Sequence, residues 1–141
     1  MDFSNSVFQN KSNPEISIPD DCQVVFVSDM FVDDYVGGAE LTTEALIESS
    51  PFKVFKLKSH QVSMSSLEQG HYKHWIFGNF ANLNQELIPS IVANMSYSVL
   101  EYDFKFCRYR SPQKHQVAEN AECGCNDEMH GKMISAFFHG A

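Results

Sequence analysis

Hydrophobic positions along the chain fall into short blocks that alternate between two periods. Gln23 to Ser28 is a valine-rich run, apolar at consecutive positions, as a parallel strand buried on both faces should be. Asp29 to Val36 reads as a loop, and Gly37-Gly38 opens a helix over Ala39 to Ser49, which Pro51 stops. Leu41, Ala45 and Leu46 form the apolar stripe predicted to face the sheet, and Glu40, Glu44 and Glu48 the solvated one. Lys53 to Leu57 alternates and suits a second strand. Val62 to Gln69 is a weak helix closed by Gly70, and His74 to Phe77 a third strand ending at Gly78-Asn79. Leu83, Leu87, Ile88, Ile91 and Val92 repeat at helical spacing, with Pro89 predicting a kink or a helix start. Tyr97 to Glu101 is a fourth strand. Beyond it the pattern breaks over Asp103 to Asp127 and resumes in a last helix, Glu128 to His139, with Met129, Met133, Ile134 and Phe137 on one face.

The order β-α-β-α-β-α-β predicts a Rossmann-like three-layer α/β/α fold with a mainly parallel sheet of about four strands. A doubly wound strand order of 3-2-1-4 is the first expectation. Residues 1–20, rich in Asn, Ser, Asp and Pro, read as a polar tail. Residues 21–141 read as the domain, with an irregular Cys/His-rich segment at 103–130.

Composition narrows the function classes. Of the 141 residues, 43% are hydrophobic and 20% charged, which supports a real core. The formal net charge of −8 argues against a broad nucleic-acid surface. The longest apolar run is far short of a transmembrane span. Met1 to Asn13 lacks the basic start and apolar stretch of a signal peptide, so a cytoplasmic location with reduced cysteines is expected.

Two regions carry candidate chemistry. Gly37, Gly38 and Ala39 sit at the first βα turn, where a parallel sheet places ligands and a helix N-terminus offers N–H groups to an anion. The spacing is not a dinucleotide fingerprint, and no Gly-Lys-Ser/Thr follows to make a P-loop. The plainer alternative is a turn that needs positive φ. Asn79 and Asp103 follow strands three and four and rank next as ligand contacts. In the irregular segment, Cys107, His115, Cys123, Cys125 and His130 fall close together. Cys107, His115, Cys123 and Cys125 form the candidate ligand set for a structural zinc. The single residue within Cys123-Gly124-Cys125 departs from the usual knuckle spacing, so reduced unpaired thiols or a redox pair stay open. Lys105, Arg108, Arg110 and Lys114 make the one basic patch. It either faces an acidic acceptor or a phosphate, or balances surface carboxylates.

The segment Val24 to Leu46, a strand, an aspartate-rich loop and then Gly37-Gly38-Ala39-Glu40, resembles the start of GT-B glycosyltransferases of the family 4-like group. His74 to Phe80 is similar to their later strand-and-loop element, and the resemblance covers roughly residues 23–105. It implies an acceptor-side N-terminal domain that works with a nucleotide-sugar donor and a sugar or glycan acceptor. Gly37 and Gly38 would then lie beside the donor diphosphate, and catalysis would need no metal. A second Rossmann-like domain and the Glu-x7-Glu donor motif are not in this sequence. The resemblance therefore implies half of a site, inactive alone. The alternative is a non-catalytic α/β binding module with a structural zinc, and an unfinished sheet edge would favour a homo-oligomer.

Overall fold

The structure, a computed structural model, describes residues 16–141 except Phe104, Asn126 and Asp127. Val24–Ser28 forms β1, and every one of its residues is buried. Such a strand must be central, and β1 pairs in parallel with β2, Val54–Lys58, on one side and β3, His74–Phe77, on the other. A fourth parallel strand, β4 (Ser96–Val99), pairs with β3. The result is the expected all-parallel four-stranded α/β sheet.

Its strand order is β2-β1-β3-β4, not the expected 3-2-1-4. The correction lies in the second crossover. After β2 the chain passes back over β1, instead of continuing outward, and lays β3 on the far side. Right-handed crossovers running in opposite directions put their helices on opposite faces. Accordingly α1 (Gly38–Ser49) lies on the face of Phe26, where Glu44 reaches Lys56 of β2 at 2.5 Å. On the other face lie α2 (Met64–Gln69), α3 (Ile88–Asn94) and the last helix. Their Leu67, Ile88, Ile91, Ile134 and Phe137 join Val25, Val27, Trp75, Phe77 and Tyr97 in the main core. The topological switch point is thus between β1 and β3.

Two further helices complete the chain: α4 (Pro112–Glu119) and α5 (Met129–His139). α4 lies inside the segment expected to be irregular throughout. It begins in the way a Ser-Pro pair favours. Ser111 is the N-cap, its hydroxyl accepting from the Lys114 N–H at 3.4 Å, and Pro112 supplies the first turn. It ends on Asn120 in the left-handed conformation, φ 51°. Pro89 sits in the first turn of α3, the second of its two expected outcomes.

The burial of α1 also differs from expectation. Leu41 and Leu46 are exposed, and the buried position is Thr43. Thr43 bonds the Tyr102 hydroxyl at 3.0 Å, and the Glu44–Lys56 pair fixes the same rotation of the helix. Polar partners, Lys56 on β2 and Tyr102 just after β4, therefore override the Leu41, Ala45, Leu46 stripe. In α5, Ile134 and Phe137 are buried as expected, whereas Met129 is 74% exposed.

The predicted tail lies outside the described residues up to position 15. From Ile16 the chain already packs: Ile18 is buried, its N–H donates to Gln69 Oε1, and Gln69 Nε2 donates to the Ile16 carbonyl. Among the described residues no helix is long and apolar enough to cross a membrane.

Candidate metal centre

The loop region after β4 is positioned by few apolar contacts. Tyr102 anchors its start through Thr43, and Phe106 stacks on Phe138 of α5 at 5.5 Å between ring centroids. The chain then turns at Cys107, where the Arg110 N–H donates to the Cys107 carbonyl at 2.9 Å. Arg110 has φ 61°, a left-handed conformation that costs a side-chain-bearing residue about 1–2 kcal/mol. Ser111 next caps α4 and sets His115 one turn in, with its N–H on the Ser111 carbonyl at 3.0 Å.

These turns bring Cys107, His115, Cys123 and Cys125 together, with their ligand atoms all within 4.8 Å of one another. His115 Nδ1 lies 3.5 Å from Cys107 Sγ and 3.4 Å from Cys125 Sγ. A tetrahedral zinc with bonds of about 2.3 Å to sulfur and about 2.0 Å to nitrogen needs sulfur-to-nitrogen edges of roughly 3.6 Å. The two sulfur-to-nitrogen distances match those edges. Cys107, Cys125 and His115 are buried and Cys123 is half-buried. Despite the unusual Cys123-Gly124-Cys125 spacing, both sulfurs fall within the cluster.

All four cysteines of the protein are free thiols, and three are in this cluster. Burial opposes ionisation of Cys125, but the Arg108 backbone N–H, its guanidinium and the neighbouring thiols outweigh it and hold this thiol below its ordinary value. The backbone N–H of Cys125 favours the Cys123 thiolate. Burial and the thiols of Cys107 and Cys125 override that and push Cys123 up. Three thiols crowded this closely cannot all ionise against one another's charge, and a divalent cation removes that conflict. The cluster can therefore hold a metal. Three sulfurs and one imidazole fill a tetrahedron with no position left for water or substrate, which is a structural set and not a catalytic one.

Around the cluster lies a second polar layer. Asp103 Oδ1 sits between Lys105 Nζ at 3.3 Å and Arg110 Nη1 at 3.5 Å. The Lys105 side chain has no exposed area, and its ammonium packs 5.8 Å from the Phe80 and Tyr102 ring centroids. Burial lowers its pKa, against the pull of Asp103 and Glu101. His130, the fifth residue of the sequence cluster, is not with the ligands. Its Nε2 donates to the Lys105 carbonyl at 3.1 Å, and its Nδ1 accepts from Gln85 at 3.0 Å, tying α5 to this loop. Arg108 pairs with Glu128 at 3.5 Å. Lys114 lies exposed on α4, apart from this pairing.

The glycine turn occupies the carboxyl end of β1, as expected, but on the α1 face of the sheet. Gly37 is extended, with φ −126°, and among the described residues no glycine has positive φ, so a left-handed turn is not what selects it. A Cβ on Gly37 would meet the Tyr35 ring and the Glu40 carboxylate at 2.7 Å, both outer ends of side chains that can move, whereas one on Gly38 meets nothing within 4 Å. Ala39 follows in the first turn of α1. Asn79 lies at the end of β3, where its carbonyl accepts from the Asp29 N–H at 2.7 Å and its side-chain oxygen is buried without a hydrogen-bond partner. Asp103 is occupied by Lys105 and Arg110. The structure thus brings the four metal candidates into one cluster and leaves the glycine turn apart from it.

One organising residue was not singled out in the sequence. Asp29, directly after β1, accepts from the Ala81 N–H at 2.9 Å, the Asn82 N–H at 3.0 Å and the Ser59 hydroxyl. It joins three loops over the switch point. Its place at the carboxyl end of the central strand was the available signal.

No family model, curated protein or solved structure matches the chain.

Proposed function

We propose that this chain is an α/β binding module whose irregular segment is folded around one structural zinc ion held by Cys107, His115, Cys123 and Cys125. The observation that carries this reading is the convergence of those four ligand atoms within 4.8 Å, on a stretch with little apolar material of its own. Zinc takes thiolate and imidazole together, and a closed set of three sulfurs and one nitrogen suits it better than the harder cations that require oxygen. Its role is to pin the Cys107 turn and α4 to the carboxyl edge of the sheet. The test is native mass spectrometry of protein purified without chelator. The expected result is one zinc per chain, lost in Cys125→Ser; metal-free wild-type protein refutes the proposal.

A second reading, the acceptor-side half of a nucleotide-sugar-dependent glycosyltransferase, is favoured by one observation. Gly37-Gly38 opens α1 at the carboxyl end of the central strand, with open space above Gly38. Titration with a nucleoside diphosphate, followed at the Gly38 amide, tests it; an unmoved amide removes the phosphate role for this chain.

A further inference from the structure

A cleft of about 210 Å³ opens beside the metal cluster at the carboxyl edge of the sheet. Phe80, Leu83, Ile88 and Ile134 supply its apolar surface, and Arg108 and Arg110 its charge. We propose that this cleft binds a phosphoryl group carried on a short apolar stem, with the Arg110 and Arg108 guanidiniums as donors.

Charge bookkeeping singles out this spot in an acidic chain. Lys105 and Arg110 are two cations sharing one carboxylate, Asp103. The nearest further carboxylate, Glu101, is 3.9 Å from Lys105 and half exposed. Arg110 Nη1 is buried and has no hydrogen-bond partner in that arrangement. Arg108 pairs with the half-exposed Glu128 at 3.5 Å, a contact that water weakens, and its guanidinium also reaches the Cys125 thiol. Among the described residues that line the cleft, none is a carboxylate. The guanidinium fork matches phosphate oxygens, and anions bind such forks through charge-assisted hydrogen bonds.

Geometry agrees. Arg110 is held in a left-handed conformation, and its guanidinium lies 5.6 Å from the Phe80 ring centroid. Backbone strain of this kind persists where surrounding structure enforces it, which here is the turn between Cys107 and Ser111. His130 and Gln85 close one wall and are already bonded to each other, so they shape the cleft and leave the arginines to take the charge. The volume is below that of sites for drug-sized ligands, about 300–1,000 Å³, so a compact group fits and a whole dinucleotide does not.

The inference rests on the zinc reading in one respect: Cys107 fixes the turn that carries both arginines. The experiment is an NMR titration of the zinc-loaded protein with inorganic phosphate and with phenyl phosphate, following the Phe80, Ala81 and His130 amides. Phenyl phosphate is expected to bind about tenfold tighter than phosphate, because only the ester uses the apolar wall. Arg110→Asn keeps a residue that tolerates the left-handed turn, and should weaken binding at least about tenfold with zinc content unchanged. Ala81→Trp, on the exposed loop, should fill the cleft and abolish binding without touching the metal loop. Any one of three results overturns the proposal: no binding of either probe at millimolar concentration, equal affinity for the two probes, or unaltered binding in both variants. Zinc stoichiometry read in the same samples separates the two claims. Full zinc with no anion binding defeats this inference alone, and retained binding without zinc defeats the metal reading alone.

Discussion

Two regions of this molecule are held together by different physics. From Ile16 to Leu100, together with α5, the sheet and its helices bury a continuous core around Trp75, Phe77, Leu57, Val25 and Phe137, and the strands satisfy one another's backbone groups in three parallel ladders. From Glu101 to Glu128, the buried side chains among the described residues are Lys105, Cys107, His115 and Cys125. One is a cation and three are metal-ligand candidates. A stretch that buries so little hydrocarbon cannot offset the entropy of ordering its backbone through hydrophobic burial alone. On the proposed zinc reading, a small α/β domain carries a loop too polar to fold by itself: the core supplies the platform, and the ion would supply what the loop lacks.

The largest predicted effect separates the regions. Apparent binding energies of structural zinc are about 10–16 kcal/mol near neutral pH in small zinc-binding peptides. Chelation, or Cys125→Ser, should therefore release the segment from Cys107 to Cys125 while β1–β4 persist. Hydrogen exchange should show protection lost in α4 and kept in β1 and β3. The converse attack is on the core. Phe137 is fully buried and stacked against Tyr97 at 4.9 Å, and Phe137→Ala should cost about 3–5 kcal/mol in denaturant unfolding. Zinc content at low denaturant should stay unchanged in that variant.

Intermediate effects sharpen the boundary. Arg108 favours the Cys125 thiolate from outside the ligand set, through its backbone N–H and its guanidinium. Arg108→Ala removes only the second. It should weaken zinc about 10–100-fold in a competition with a colorimetric chelator, without altering core stability. Asp29→Ala strips the acceptor from the Ala81 and Asn82 N–H groups and from Ser59. It should cost about 1–3 kcal/mol and loosen the loops over the switch point. The smallest effect belongs to Leu46, 44% exposed on α1: Leu46→Glu should change stability by no more than about 0.5 kcal/mol.

That last prediction marks a place where the sequence misleads. The apolar spacing of Leu41, Ala45 and Leu46 identifies a helix correctly and its buried face wrongly, because Thr43–Tyr102 and Glu44–Lys56 are tertiary partners that periodicity does not contain. The strands were readable for the opposite reason. β1 is apolar at nearly every position and β3 is a compact His-Trp-Ile-Phe block, and each block needs a buried place whatever its neighbours. Strand order was not readable, since the direction of the second crossover leaves no mark on hydrophobic pattern. In the candidate site, residue type alone selected Cys107, His115, Cys123 and Cys125. The helix that delivers His115 went unseen because α4 buries only that residue and so has no apolar stripe; Ser111-Pro112 was its one local signal. The role of Asp29 needed three loops to meet before it existed.

The most direct test of the account is X-ray absorption at the zinc edge on protein purified without chelator. The account predicts three sulfur ligands at about 2.3 Å and one nitrogen at about 2.0–2.1 Å. A spectrum dominated by oxygen, or no bound zinc at all, would contradict it.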